Sequence, residues 1–159
     1  MSTLPAQSTD RRVDHSALRT NQAFIIGLLI LAFVLNSWLL VAFVAAAMLV
    51  GTVVPSAGLF KAVYFTLLKP SGVVKPDVKI DNPEPHLFAQ AVGGAVLLLA
   101  TLALLVGASL IGWALIWVVV GLAALNLFGN ICVGCLMYYQ FNRLGLPGFA
   151  YSPISTGRK

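Results

Sequence analysis

The sequence predicts an all-α membrane protein, with four transmembrane helices arranged as two helical hairpins and a short interfacial amphipathic helix between them. Three observations lead there. Of 159 residues 59% are hydrophobic and only 9% charged, whereas a soluble domain is about one-quarter charged, so too little polar surface exists to face water. The charges fall in three groups: Arg11, Arg12 and Arg19 with Asp10 and Asp14; Lys61, Lys69, Lys75 and Lys79 with Asp77, Asp81 and Glu84; and Arg143, Arg158 and Lys159. Between the groups, Thr20 to Phe60 and Pro85 to Asn142 carry no charge. This composition excludes a soluble globular or a disordered chain. The net charge of +5 comes without a basic cluster interleaved with aromatics, so no nucleic-acid partner is expected.

Residues 1–19 read as a polar N-terminal tail. The first hairpin is 20–54, because Ala23 to Val54 as one straight helix would reach roughly 48 Å against a hydrocarbon core of about 30 Å. Asn36-Ser37-Trp38, a turn-forming pair and an interfacial aromatic, divides it into spans 20–36 and 38–54. Residues 55–85 form a cytoplasmic connection. Pro55 closes the second span and Ser56 can cap the next helix. Phe60, Val63, Tyr64 and Leu67 then recur at i, i+3, i+4, i+7, the stripe of a helix lying in the headgroup layer. Pro70, Pro76, Pro83 and Pro85 keep the remainder extended, with one short strand at Val78 to Ile80. The second hairpin is 86–140, with spans 86–107 and 110–138 divided at Gly107-Ala108-Ser109. Residues 141–159, with Gly145, Pro147, Gly148 and Pro153, form a flexible C-terminal tail.

Two hairpins place every Lys and Arg on one side, as the positive-inside rule asks, so the expected location is the inner (plasma) membrane with both termini cytoplasmic. Neither Ala45-Ala46-Ala47 nor Arg11-Arg12 has the flanks of a cleaved or twin-arginine signal.

Candidate chemistry centres on Cys132 and Cys135, the two cysteines of the chain, in Cys132-Val133-Gly134-Cys135. Spacing i, i+3 suits a dithiol/disulfide couple or half of a metal site. Within a fourth span reaching residue 138 the pair sits near a helix C-terminus, whose partial negative charge disfavours a thiolate. A metal reading needs further ligands, with His86 the candidate in this chain besides Cys132 and Cys135. Gln22, Gln90, Asn126 and Asn130 are expected to serve as interhelical polar packing. No Asp, Glu, Lys or Arg lies inside a span, which leaves an ion pathway without a carrier, and no Ser-His-Asp set or phosphate loop is present. The sequence specifies no cofactor.

Asp14-His15 to Asn21-Gln22, Pro85-His86-Leu87-Phe88-Ala89-Gln90, and Cys132-Val133-Gly134-Cys135 followed by Tyr138 form an ordered set. The set resembles a bacterial family of small integral membrane proteins catalogued as a domain of unknown function and ending in a Cys-x-Gly-Cys motif. The resemblance covers about Val13 to Gln140. It implies the same membrane fold and, through thioredoxin-like and sulfurtransferase neighbours of family members, a thiol role. Two functional expectations arise. One is a thiol-redox, sulfur-relay or metal-binding role of the cysteine pair at the cytoplasmic membrane face, with a cytosolic thioredoxin-like protein as partner. The other is a noncatalytic accessory subunit of a larger, energy-converting membrane complex.

Overall fold

Asp14 decides where the first helix starts. In the structure, a computed structural model that describes residues 12–54, 58–72, 74–75 and 77–149, its carboxylate Oδ1 accepts from the backbone N–H groups of Ser16 at 3.0 Å and Ala17 at 3.4 Å. This is an N-cap, and helix α1 runs from it as His15–Val34. The helix thus begins five residues before the expected span. Just ahead of the cap, β1 (Arg12–Asp14) pairs antiparallel with β2 (Val78–Ile80), Val13 opposite Lys79. The strand expected at 78–80 therefore has its partner in what reads as an N-terminal tail.

Helix α2 (Trp38–Val53) follows a break at Asn36, whose left-handed φ of 48° a short polar side chain tolerates. Helix α3 (Leu59–Val63) runs on into a π-helical turn at Tyr64–Leu68, closed by the Lys69 N–H to Tyr64 carbonyl bond at 2.8 Å. The wider turn puts the expected i, i+3, i+7 stripe out of phase. Tyr64 is fully buried, with its hydroxyl donating to Asp14 Oδ2 at 3.1 Å, while Leu67 is exposed. The Phe60 side chain and Pro55 to Ala57 lie outside the described residues. Burial and the adjacent Asp14 carboxylate, which accepts its proton in a hydrogen bond, hold the Tyr64 phenol above its ordinary pKa.

Helix α4 (Pro83–Leu105) starts with proline at its first position, where no N–H is needed. It ends at Gly107, φ 84°, before helix α5 (Ser109–Gly129). Here the structure corrects the sequence expectation of one span over 110–138. Asn130 takes a left-handed conformation, φ 52° and ψ 25°, and ends α5; a separate helix α6 (Val133–Arg143) follows after Ile131 and Cys132. The chain then turns to Phe149, whose ring packs on Phe88, Tyr138 and Phe141, so the described part of the expected tail is folded onto α4 and α6.

The protein is mostly helical. Among the described residues three helices, α1, α4 and α5, are long and apolar enough to cross a membrane, and α2, with 16 residues, is shorter. Ile25 and Leu29 of α1, Val41 and Val44 of α2, Leu97 of α4 and Ile116 of α5 form the centre of one core. Larger apolar side chains such as Leu110, Phe128 and Val53 point outward, each more than 80% exposed. A water-soluble bundle would hide these, whereas hydrocarbon accepts them.

Candidate functional site

The break at Asn130 moves the cysteine pair from the end of one helix to the start of another. Cys132 is the N-cap of α6, and its Sγ accepts from the backbone N–H of Cys135 at 3.2 Å. The two sulfurs form a disulfide, with Cα atoms 5.1 Å apart. A helix N-terminus presents free N–H groups and partial positive charge, which favour a thiolate. The dipole argument drawn from a continuous span is thereby reversed in sign. Cys132 is half-buried, while Cys135 is only 7% exposed.

Gly134, the third residue of the motif, lets α6 approach α4. A Cβ built there would stand 2.7 Å from Ala89 Cα, a separation real carbons do not adopt. Because α6 lies this close, Cys135 Sγ comes within 3.5 Å of His86 Nδ1 in the first turn of α4. The other ring nitrogen, His86 Nε2, lies 3.0 Å from Asp81 Oδ2, and His15 Nε2 lies 3.4 Å from the same oxygen. His15 reaches Asp81 because its backbone N–H donates to Asp77 carbonyl at 2.8 Å and Ser16 Oγ donates to the Lys75 carbonyl at 2.7 Å.

Burial alone would raise the Asp81 pKa. The His86 hydrogen bond, the Asn82 backbone N–H and the two neighbouring imidazoles outweigh it and hold the carboxyl below its ordinary value. In the tautomer with the proton on Nε2, His86 donates to Asp81 and turns the Nδ1 lone pair toward Cys135. The chemistry available is that of a thiol beside a base that a carboxylate orients. The same atoms suit a soft metal ion when the cysteines are reduced. The ligand atoms of His86, Cys132 and Cys135 lie within 4.8 Å of one another, and a carboxylate on the far nitrogen is the usual support of a metal-bound histidine.

The structure therefore brings together Cys132, Cys135 and His86, which the sequence singled out, and adds Asp81 and His15. Both added residues sit in charge groups visible in the sequence; the signal for them is His15 directly after a capping Asp14, and Asp81 five residues before His86. The polar residues expected as helix packing divide. Gln22, Gln90 and Asn126 line a cavity of about 120 Å³ together with Asn21 and Cys132. Gln90 Nε2 donates to the Met48 carbonyl at 2.8 Å. Asn130 instead accepts from Arg19 Nη2 at 3.0 Å and ties the α5–α6 break to α1.

A family described as Domain of unknown function (DUF4395) matches residues 13–143, which include every residue of this cluster. No curated protein matches the chain. No solved structure matches it either. With the match extending from the strand before α1 to the last residue of α6, the chain belongs to the DUF4395 family.

Proposed function

We propose that Cys132 and Cys135 are a working dithiol/disulfide couple at the cytoplasmic face of the inner membrane, exchanging with a cytosolic thioredoxin-like protein. One observation carries the reading: the pair caps a helix N-terminus and Cys135 meets the His86–Asp81 imidazole–carboxylate pair. In the oxidising direction for the chain, the Cys132 thiolate attacks a partner disulfide, forms a mixed disulfide and releases one partner thiolate. His86 takes the Cys135 proton, and the Cys135 thiolate then attacks the Cys132 sulfur. The internal disulfide closes and the second partner thiolate leaves, so two electrons pass from chain to partner. The half-buried Cys132 suits the attacking role and the buried Cys135 the resolving role.

The setting we infer is four spans in two hairpins. The two uncharged runs, the break at Gly107 and the clustering of the α1, α4 and α6 N-termini support it. The test is trapping. Cys135→Ala should accumulate a mixed disulfide between Cys132 and an added thioredoxin-like protein, and Cys132→Ala should accumulate none. Equal trapping by both variants would remove the assignment of roles, and trapping by neither would remove the function.

The grouping of His86 with the two sulfurs favours a second reading, a zinc-type site in the reduced protein. Cobalt titration of the reduced full chain tests it. A thiolate-to-metal absorption band that His86→Ala weakens supports metal binding, and no band rejects it.

A further inference from the structure

The end of α5 is built differently from the ends of α1, α4 and α6. Those three helices are each followed by a left-handed residue, Asn36, Gly107 and Gly145. The next N–H then donates back to a carbonyl five residues earlier: Ser37 to Ala32 at 2.9 Å, Ala108 to Ala103 at 2.8 Å and Leu146 to Phe141 at 3.2 Å. Each bond satisfies a carbonyl that a helix end leaves open. Helix α5 also ends on a left-handed residue, Asn130, yet Ile131 behind it makes no such bond. Among the described residues neither the N–H nor the carbonyl of Ile131 has a hydrogen-bond partner.

Ile131 is 46% exposed and stands directly before Cys132, whose backbone is extended at φ −90° and ψ 99°. Arg19 Nη2 donates to Asn130 Oδ1 at 3.0 Å in an exposed contact. A guanidinium beside the break marks it as the aqueous end of α5.

In an antiparallel strand pair, two opposed residues exchange both of their N–H···O bonds. Such main-chain pairing seats extended segments on a protein, and Ile131 has both groups to offer. A protein that exchanges disulfides with Cys132 must bring its sulfur to bonding distance, so its chain passes beside Ile131. We propose that Ile131 is the docking residue for the thioredoxin-like partner: its N–H and carbonyl exchange two hydrogen bonds with one residue of an extended partner segment and align the partner disulfide with Cys132. A small aromatic disulfide has no main chain to offer, so the pairing favours a protein partner over it. This inference rests on the dithiol reading and adds how the partner is recognised.

The experiment uses the full chain with Cys135→Ala, reduced and in lipid nanodiscs, and two probes with one leaving group. One is a bacterial thioredoxin carrying a single cysteine, charged with thionitrobenzoate; the other is dithiobis(nitrobenzoate). In each, the Cys132 thiolate attacks the disulfide, a new S–S bond to Cys132 forms, and thionitrobenzoate leaves as its coloured thiolate. Hydrogen exchange of the Ile131 amide should be at least about tenfold slower in the thioredoxin adduct than in the small adduct. Ile131→Pro, which removes the N–H, should cut the rate of thioredoxin capture about tenfold relative to the small disulfide, the worth of one such bond. Ile131→Ala keeps both main-chain groups and should cut it less. Proline also restrains Asn130, so the exchange measurement on the unaltered backbone decides. If the thioredoxin adduct forms and the Ile131 amide exchanges equally fast in both adducts, main-chain docking is wrong and the dithiol reading stands. Protection present before either probe is added assigns the segment to a second copy of the chain and overturns the proposal as well. If the small disulfide reacts and thioredoxin does not, the docking residue and the thioredoxin-like partner fall together. If neither reacts with Cys132, the dithiol reading falls too.

Discussion

At the scale of single residues, His86 and Asp81 divide one task. His86 touches the sulfur of Cys135 and Asp81 touches only His86, so Asp81 is a positioning residue. His86→Ala should slow closure of the internal disulfide about 100-fold, the lower range for a lost general base. The check is quenched-flow decay of the mixed disulfide. Asp81→Asn should slow it less and shift the pH dependence of that rate, since the ring loses the acceptor that fixes its tautomer. Asp81 also carries a pH prediction for stability. Its folded-state pKa is lowered, so the stabilisation is complete above the ordinary carboxylate pKa of about 3.9 and fades as pH falls below it toward the folded value. Melting temperature in detergent should fall as pH drops below about 4, and Asp81→Asn should flatten that part of the curve.

At the scale of elements, the decisive feature is the helix break between α5 and α6. Asn130 can adopt the left-handed conformation that ends α5, and the next helix starts with Cys132 as its cap. A Cys132-Val133-Gly134-Cys135 motif read inside a continuous helix gives two thiols on one face and an unfavourable dipole; after a break it gives a capping sulfur and a favourable one. Gly134 then determines whether the new helix can reach α4. Gly134→Ala places a Cβ against the Ala89 backbone. It should destabilise the protein by about 1–3 kcal/mol as an overpacking change, lower the melting temperature, and lengthen the Cys135–His86 contact. The second effect separates it from a general packing defect: cysteine alkylation by iodoacetamide should lose its dependence on His86. The motif glycine was legible as a letter. Its reason was not, because Ala89 lies 45 residues away in the chain.

At the scale of the whole molecule, the N-terminal ends of α1, α4 and α6 meet through Arg19–Asn130, His15–Asp81 and Cys135–His86. All three must therefore share one side of any bilayer the helices cross. With the four-span reading, cysteines introduced at Lys75, Arg19 and Leu146 should all be blocked by a membrane-impermeant maleimide from the cytoplasmic side, and none from outside. Labelling of Lys75→Cys from the opposite side to the other two would break the paired-hairpin layout. A double Cys132→Ala, Cys135→Ala variant should insert and melt as the native chain does yet lose exchange; retained cellular function in that variant would favour the accessory-subunit reading instead. The sequence by itself determined the helical, apolar character of the chain, the uncharged runs, and the breaks at Asn36 and Gly107. These come from local composition and from residues that tolerate positive φ, and each is set within a few neighbours. The tertiary structure alone decided that the strand at Val78–Ile80 pairs with Arg12–Asp14, that the cysteines cap a separate helix, and that Asp81, His86 and Cys135 form one chain of contacts. The physical reason is that uniformly apolar helices carry little periodic signal to mark which face turns inward; the choice falls to small contact residues and buried polar groups that must find partners far along the chain.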